Sequence, residues 1–371
     1  MDDQEGFNYP KVDLNKCINC GLCETICPHK NRLQPIKHCY QAYGLIYNKS
    51  EILSSSTSGG AFSALCKIFF ELYPNGVVYG CVLIKKTDGN FVAKHVRATN
   101  LEECKQFRGS KYIQSEFWQI YDTIEEDLKN GVNVMCVGTP CQLAGVYKAF
   151  TKKYSESLFL VDILCHSVPS PLMFNEHIQA LESLSGKQVM SYSFRPKTKG
   201  WRHYEEAYDC NGNIILKNRR QTQRHKELFY SEFISRPSCS QCKYTSEYSV
   251  SDVTLGDFWG VQKVNSKFYD KRGVSLVLIH TDKASYFFSK LQNMCSSIKV
   301  DDNVVIAHNH YKPNALNINR AAFWDKYYAD GFNAAAKLYL DSNYVWFIKK
   351  IVRILLSERI RRIIKKILHV K

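Results

Sequence analysis

The sequence predicts an α/β chain of mixed (α+β) make-up: a short cysteine-rich N-terminal segment, a large α/β domain, and a basic amphipathic helix at the C-terminal end. Three observations predict it. Cysteines recur with two or three residues between them from Cys17 to Cys27. Two apolar runs, Val132–Val137 and Leu158–Leu164, enclose a helix-length segment, as in a βαβ unit with parallel strands. From Tyr344 to Val370, apolar residues fall at helical spacing among lysines and arginines.

The elements follow in order. Residues 1 to about 40 carry turns and cysteines with little helical or strand period. Ser54 to Gly60 leads into Ala61–Tyr73, a helix closed by Pro74-Asn75-Gly76. Val77–Ile84 and Phe91–Arg97 read as a hairpin, and Glu116–Lys129 as a helix stopped before Gly131. In the βαβ unit, Gly138-Thr139-Pro140-Cys141 precedes a helix from Gln142 to Phe150. Ser170-Pro171 caps the next helix, with Gly186 past its end. Asn211-Gly212 marks a hairpin turn, Asp252–Phe258 and Val274–His280 read as strands, and Asp282 to about Cys295 as a helix.

Composition narrows the function. The 371 residues are 45% hydrophobic and 23% charged, ordinary for a soluble globular protein. Fifteen cysteines are not ordinary. Met1 to Asn15 is polar and holds no secretory stretch, so an odd cysteine count points to metal or redox chemistry in a reducing cytoplasm. The net charge of +15 is uneven: nine Lys/Arg against Glu358 place +8 beyond Asn343. No nucleic-acid partner is expected, because no RNA-binding or helix-turn-helix pattern occurs and Cys239-x-x-Cys242 lacks a zinc finger's histidines.

Cys17-x-x-Cys20-x-x-Cys23-x-x-x-Cys27-Pro28 is the strongest local signal. One tight loop at this spacing offers thiolates to the corners of a 4Fe–4S cubane. Zinc tolerates many spacings and seldom yields so compact a run. Three thiolates need a fourth ligand, and Cys27, Cys39 or a natural chain starting upstream of Met1 are the alternatives. Cys141 and Cys165 follow consecutive parallel strands, so both emerge at the carboxyl edge of the sheet, where α/β proteins bind ligands. With Cys239 and Cys242 they make a second ligand set; ordinary buried thiols are the alternative. Cys66, Cys81, Cys104, Cys136, Cys210 and Cys295 are expected in the core.

Neither a dinucleotide fingerprint nor a Walker loop is present. Two segments are candidates to hold phosphate: Ser58-Gly59-Gly60 at a helix N-terminus, with plain helix capping the alternative, and Arg108-Gly109-Ser110-Lys111, with a solvated turn the alternative; Gly138-Thr139-Pro140 at a strand end is a third candidate ligand loop. His166 and Asp257 are candidate proton donors, with a satisfied structural role the alternative.

Read in order, Glu5 to Pro10, the cysteine run, Ser56 to Gly60, Arg108 to Tyr112, Gly138 to Gln142, Val161 to His166, Phe194-Arg195 through Gly200-Trp201, Arg236 to Cys239 and Gly256 to Gly260 form a pattern. It resembles the beta-subunit family of coenzyme F420 hydrogenases and dehydrogenases, over about Glu5 to His280. The resemblance implies FAD and one or two 4Fe–4S clusters, and electron flow from reduced ferredoxin or a similar donor to an organic acceptor. Relatives include bacterial proteins encoded among polysaccharide-biosynthesis genes, which implies a glycan-linked substrate. It also implies cluster ligands Cys17, Cys20, Cys23 and Cys27, a second set Cys141, Cys165, Cys239 and Cys242, and flavin contacts from Gly59, Gly60, Arg108, Ser110, Lys111 and Thr139. Two departures stand out. Many relatives carry an earlier cysteine run, and Cys165-His166-Ser167 replaces the usual Cys-His-Gly.

The domains expected are therefore a ferredoxin-like 4Fe–4S segment (1–40), a flavin-binding catalytic domain (41–335) and a basic amphipathic helix (336–371). Charges interrupt that helix too often for a membrane span, and it suits an anionic lipid surface at the inner face of the cell membrane. Packing on protein is the alternative. The expected activity is a ferredoxin-linked, FAD-dependent reductase. The alternative is a non-catalytic electron-transfer subunit serving a separate enzyme.

Overall fold

The computed structural model describes residues 3–28, 30, 37–38, 41–201, 204–245, 248–301 and 312–340. Cys39 and the basic tail 343–371 lie outside the described residues, so the fourth-ligand alternative and the membrane-facing helix placed there find no description here.

The strands are β1 (Lys37–His38), β2 (Gln41–Tyr47), β3 (Val77–Lys85), β4 (Phe91–Ala98), β5 (Ser115–Glu116), β6 (Val134–Gly138), β7 (Leu158–Ile163), β8 (Ser191–Ser193), β9 (Glu206–Tyr208), β10 (Tyr248–Ser249), β11 (Val253–Asp257), β12 (Ser275–Ile279) and β13 (Cys295–Val300). The helices used below are α1 (Leu22–Ile26), α2 (Ser50–Ser55), α3 (Ala61–Leu72), α4 (Tyr121–Lys129), α5 (Pro140–Tyr154), α6 (Pro171–Ser185), α7 (Arg219–Thr222), α8 (Arg224–Tyr230), α9 (Val261–Val264), α10 (Asp282–Lys290) and a last helix, Arg320–Leu340, kinked at Gly331.

Nine strands form one mixed sheet in the order β13-β2-β12-β11-β7-β6-β3-β4-β5. β3, β6, β7 and β11 run parallel, and β12 returns antiparallel between β11 and β2. Successive residues alternate between two buried faces. Val78, Met135, Phe159 and Val161 meet α3 and α10 on one side. Val77, Tyr79, Val134, Cys136, Leu158 and Leu160 meet α4 and α5 on the other. Burial on both faces is why these strands read as continuous apolar runs. A third apolar cluster joins α6, α8 and the last helix through Met173, Phe229, Phe323 and Trp324.

The mixed α/β class, the βαβ unit and the β3–β4 hairpin are as expected from the sequence. The differences are local. The helix expected at Glu116–Lys129 starts only at Tyr121, because Ser115 and Glu116 pair with Ala93 and Lys94. The helix expected to reach Cys295 ends at Lys290, and Cys295 opens edge strand β13 instead. Cys66, Cys104, Cys136 and Cys295 are buried as expected, whereas Cys81 is half-buried and Cys210 is exposed in the turn before Gly212.

Candidate functional site

The parallel strands β6, β7 and β11 end at one edge, and their next residues are Thr139 and Cys141, Cys165 and His166, and Phe258 after Asp257. β2 ends at the same edge, since Leu45 pairs with Ser275, which in turn pairs with Asp257. The segment from Ser56 to Gly60 therefore arrives there too. A cavity of about 390 Å³ opens at this edge. That is within the range of small-molecule sites, roughly 300–1,000 Å³.

Ser58, Gly60, Arg108, Gly109, Ser110, Lys111, Thr139, Cys141, Cys165, His166 and Asp257 all line it. Gly59 does not. It serves as a point of close approach: a Cβ there would stand 2.1 Å from the Leu45 carbonyl oxygen and 2.4 Å from the Ser275 nitrogen. Its own carbonyl accepts from Tyr47 N–H at 2.8 Å, and Ser58 Oγ donates to the Val274 carbonyl at 2.7 Å, so the loop is clamped to β2 and β12.

Two helix N-termini face the cavity. Gly60, at φ 89°, turns the chain into α3. Thr139 caps α5 in a capping box with Gln142, whose Nε2 donates to Ser115 Oγ at 2.9 Å. Helix N-termini present free N–H groups and partial positive charge to an anion. Arg108 adds a cation, tethered through Nε to Ser63 Oγ (3.0 Å) and through its guanidinium to Ser55 Oγ (2.9 Å). Lys111 is different: its Nζ donates to the carbonyls of Gln106, Phe107 and Arg108 at 3.0–3.2 Å, so it locks the loop that carries Arg108. Burial pulls its ammonium down to about 8.

His166 Nε2 lies 2.6 Å from Glu232 Oε1, and Asn314 Nδ2 lies 3.1 Å from His166 Nδ1. Glu232 adopts the left-handed conformation (φ 59°) rare for a non-glycine residue, and its other oxygen accepts from Ser235 Oγ at 2.6 Å. Asp257 is the counterion of buried Arg195 and accepts from Trp201 Nε1 at 2.7 Å. Arg195, Trp201 and Arg236 sit inside motifs visible in the sequence. Glu232 and Asn314 carry no sequence signal, because only the fold brings them to His166.

The four later cysteines come together. Burial first, then the thiolate charges of Cys141, Cys239 and Cys242, push the Cys165 thiol well above its usual range. Cys239 rises to about 12, from burial and then its neighbours Cys141 and Cys242. Tyr244 N–H points at Cys242 Sγ (3.4 Å), and Thr139 Oγ1 lies 3.4 Å from Cys141 Sγ. Hydrogen bonds to sulfur of this kind stabilise cluster thiolates. Among the described residues, no three His, Cys, Asp or Glu side chains close on a point suited to a single metal ion. Four thiols are the donor set that a 4Fe–4S cubane takes, so the residues present fit such a group.

Cys17, Cys20 and Cys23 are exposed and Cys27 is half-buried. Asn19 (φ 55°) and Gly21 (φ 71°) curl this loop, and Asn19 N–H points at Cys17 Sγ (3.4 Å). The preceding linker is anchored: Phe7 is buried, Asn8 and Gln114 exchange hydrogen bonds of 2.8 and 3.0 Å, and Glu5 pairs with Arg320. No helix among the described residues is long and apolar enough to cross a membrane.

Comparison with known proteins gives the family of the chain. Residues 131–301 match the C-terminal family model of the coenzyme F420 hydrogenase/dehydrogenase beta subunit, and residues 44–120 match its N-terminal counterpart. Residues 9–33 match a 4Fe-4S binding domain. No curated protein matches. Among solved structures, a chain of the F420-reducing [NiFe] hydrogenase complex from Methanosarcina barkeri is 19% identical, with 82% of this chain and 93% of that chain covered and a TM-score of 0.49. The protein carries a 4Fe-4S binding domain and belongs to the coenzyme F420 hydrogenase/dehydrogenase beta-subunit family, as an iron–sulfur electron-transfer protein.

Proposed function

We propose that this chain is an oxidoreductase that takes electrons from reduced ferredoxin or a similar donor and delivers them to an organic acceptor, with FAD and 4Fe–4S clusters as its cofactors. One observation carries the reading: Cys141 and Cys165 line the same cavity as Ser58, Gly60, Arg108 and Thr139. A cysteine group and an anion-binding group thus line one cavity. Cys17, Cys20, Cys23 and Cys27 would hold an outer cluster, and Cys141, Cys165, Cys239 and Cys242 an inner one. The two helix N-termini and Arg108 would hold the FAD phosphates. When bound, FAD supplies the exchange between one-electron and two-electron chemistry.

The chain's own residues do the positioning. Lys111 and the clamped Gly59 segment fix the anion-binding loops. Trp259, stacked on Trp201 with ring centroids 4.6 Å apart, lines the cavity with an aromatic face. His166, beside Glu232 and Asn314 in the cavity lining, would carry a proton. Asp257 is bound on both oxygens, so its part is to hold Arg195 and Trp201 rather than to move a proton. A glycan-linked acceptor at the inner membrane surface belongs to this proposal through the basic tail.

The family's description as beta subunits favours a second reading, in which a separate protein completes the enzyme. Anaerobic purification with iron, sulfide and flavin quantified on one sample tests the first. About one FAD and about eight irons per chain, two 4Fe–4S clusters, are expected. Flavin-free protein after anaerobic reconstitution would overturn it. Cofactor-replete protein that reduces an acceptor only after a partner is added would establish the second.

A further inference from the structure

Tyr244 stands between the two cysteine groups and is bonded to both. Its backbone N–H donates to Cys242 Sγ at 3.4 Å. Its phenol O–H donates to the carbonyl of Pro28 at 2.8 Å, and Pro28 directly follows Cys27. The ring between is 9% exposed and packs with Ala144, Val250, Cys141 and Cys242. On the same side, Lys148 of α5 donates to the carbonyl of Thr25, so the helix that begins beside Cys141 also grips the outer loop.

We propose that Tyr244 is a positioning residue, a rigid spacer that sets the distance between the outer cysteine run, Cys17 to Cys27, and the inner group, Cys141, Cys165, Cys239 and Cys242. The proposal rests on the reading that both groups carry clusters. A buried side chain held by its hydroxyl at Pro28, on a residue whose backbone N–H is held at Cys242, has little rotational freedom, and its length fixes the gap. With both clusters bound, one electron crossing that gap would oxidise one centre and reduce the other, with no bond or proton change. The rate falls steeply as the gap widens.

The test compares full-length wild-type protein with Tyr244→Phe and Tyr244→Ala, each reconstituted anaerobically and reduced with dithionite. The readouts are iron content, the spin–spin splitting between the two reduced clusters by electron paramagnetic resonance, and tryptic cleavage after Lys16 and Lys30. Wild type should show two coupled clusters. Tyr244→Phe should keep its iron while the splitting weakens and outer-loop cleavage rises roughly fivefold, the effect of one hydrogen bond. Tyr244→Ala should lose the splitting altogether. If wild type shows coupled clusters and Tyr244→Phe matches it in splitting and cleavage, the spacer role is wrong while the proposed function stands. If wild type lacks iron in either group, the functional reading fails first and the spacer role with it.

Discussion

Asp162 lies under the site in β7, 1% exposed, where it accepts from the hydroxyls of Ser249 and Thr254. Burial raises its carboxyl from 3.8 to about 6, against those hydrogen bonds. The folded chain therefore keeps a proton that the unfolded chain has already released between those values. Asp162 contributes fully to stability below pH 3.8, and that contribution is lost as pH rises through about 6. Asp162→Asn should remove this dependence, gaining up to roughly 3 kcal/mol over wild type near neutrality and little at acid pH. Urea unfolding of both proteins at about pH 3.5 and about pH 7.5 checks it; an equal difference at the two pH values would contradict it. Asp162 falls inside the Val161-to-His166 motif, yet nothing in that motif separates a buried acid from an exposed one. Gly59 and Gly60 show the same limit: adjacent in sequence, one bears the cavity wall and the other the weight of two strands.

Elements were legible where burial on two faces enforces an unbroken apolar run, as in β6, β7 and β12, or where caps mark helix ends, as at Ser170, Pro171 and Gly186. β13 was not, because only Cys295 and Val300 of its six residues are buried, and that pattern has no strand period. β2 was also hidden: its Gly44 leaves room for the Phe258 ring, and a glycine mid-run obscures a strand. β11 ends in Asp257, whose ion pair with Arg195 ties it to the segment after β8. Since the Arg195 side chain is only 2% exposed, Asp257→Ala should strand a buried charge and cost about 3–5 kcal/mol. Thermal unfolding would reveal this before any assay. A variant of wild-type stability that had lost only turnover would instead restore Asp257 as a proton carrier.

At the scale of the molecule, the parallel course of β6, β7 and β11 does most to build the site, because it brings segments from Thr139, Cys165 and Asp257 to one edge. The share of Thr139 and Cys165 in it was legible from two apolar runs and a helix between them; the parallel pairing of β11, which adds Asp257, was not. The arrival of Ser58 by way of antiparallel β2 and β12 was not, since pairing order leaves no trace in local pattern. Cys239 and Cys242 reach Cys141 and Cys165 through the same topology. The most direct measurement is therefore iron per chain in Cys239→Ser/Cys242→Ser, beside wild type. The account predicts a fall from about eight irons to about four, with the outer cluster retained. Iron content unchanged by the double substitution would contradict it.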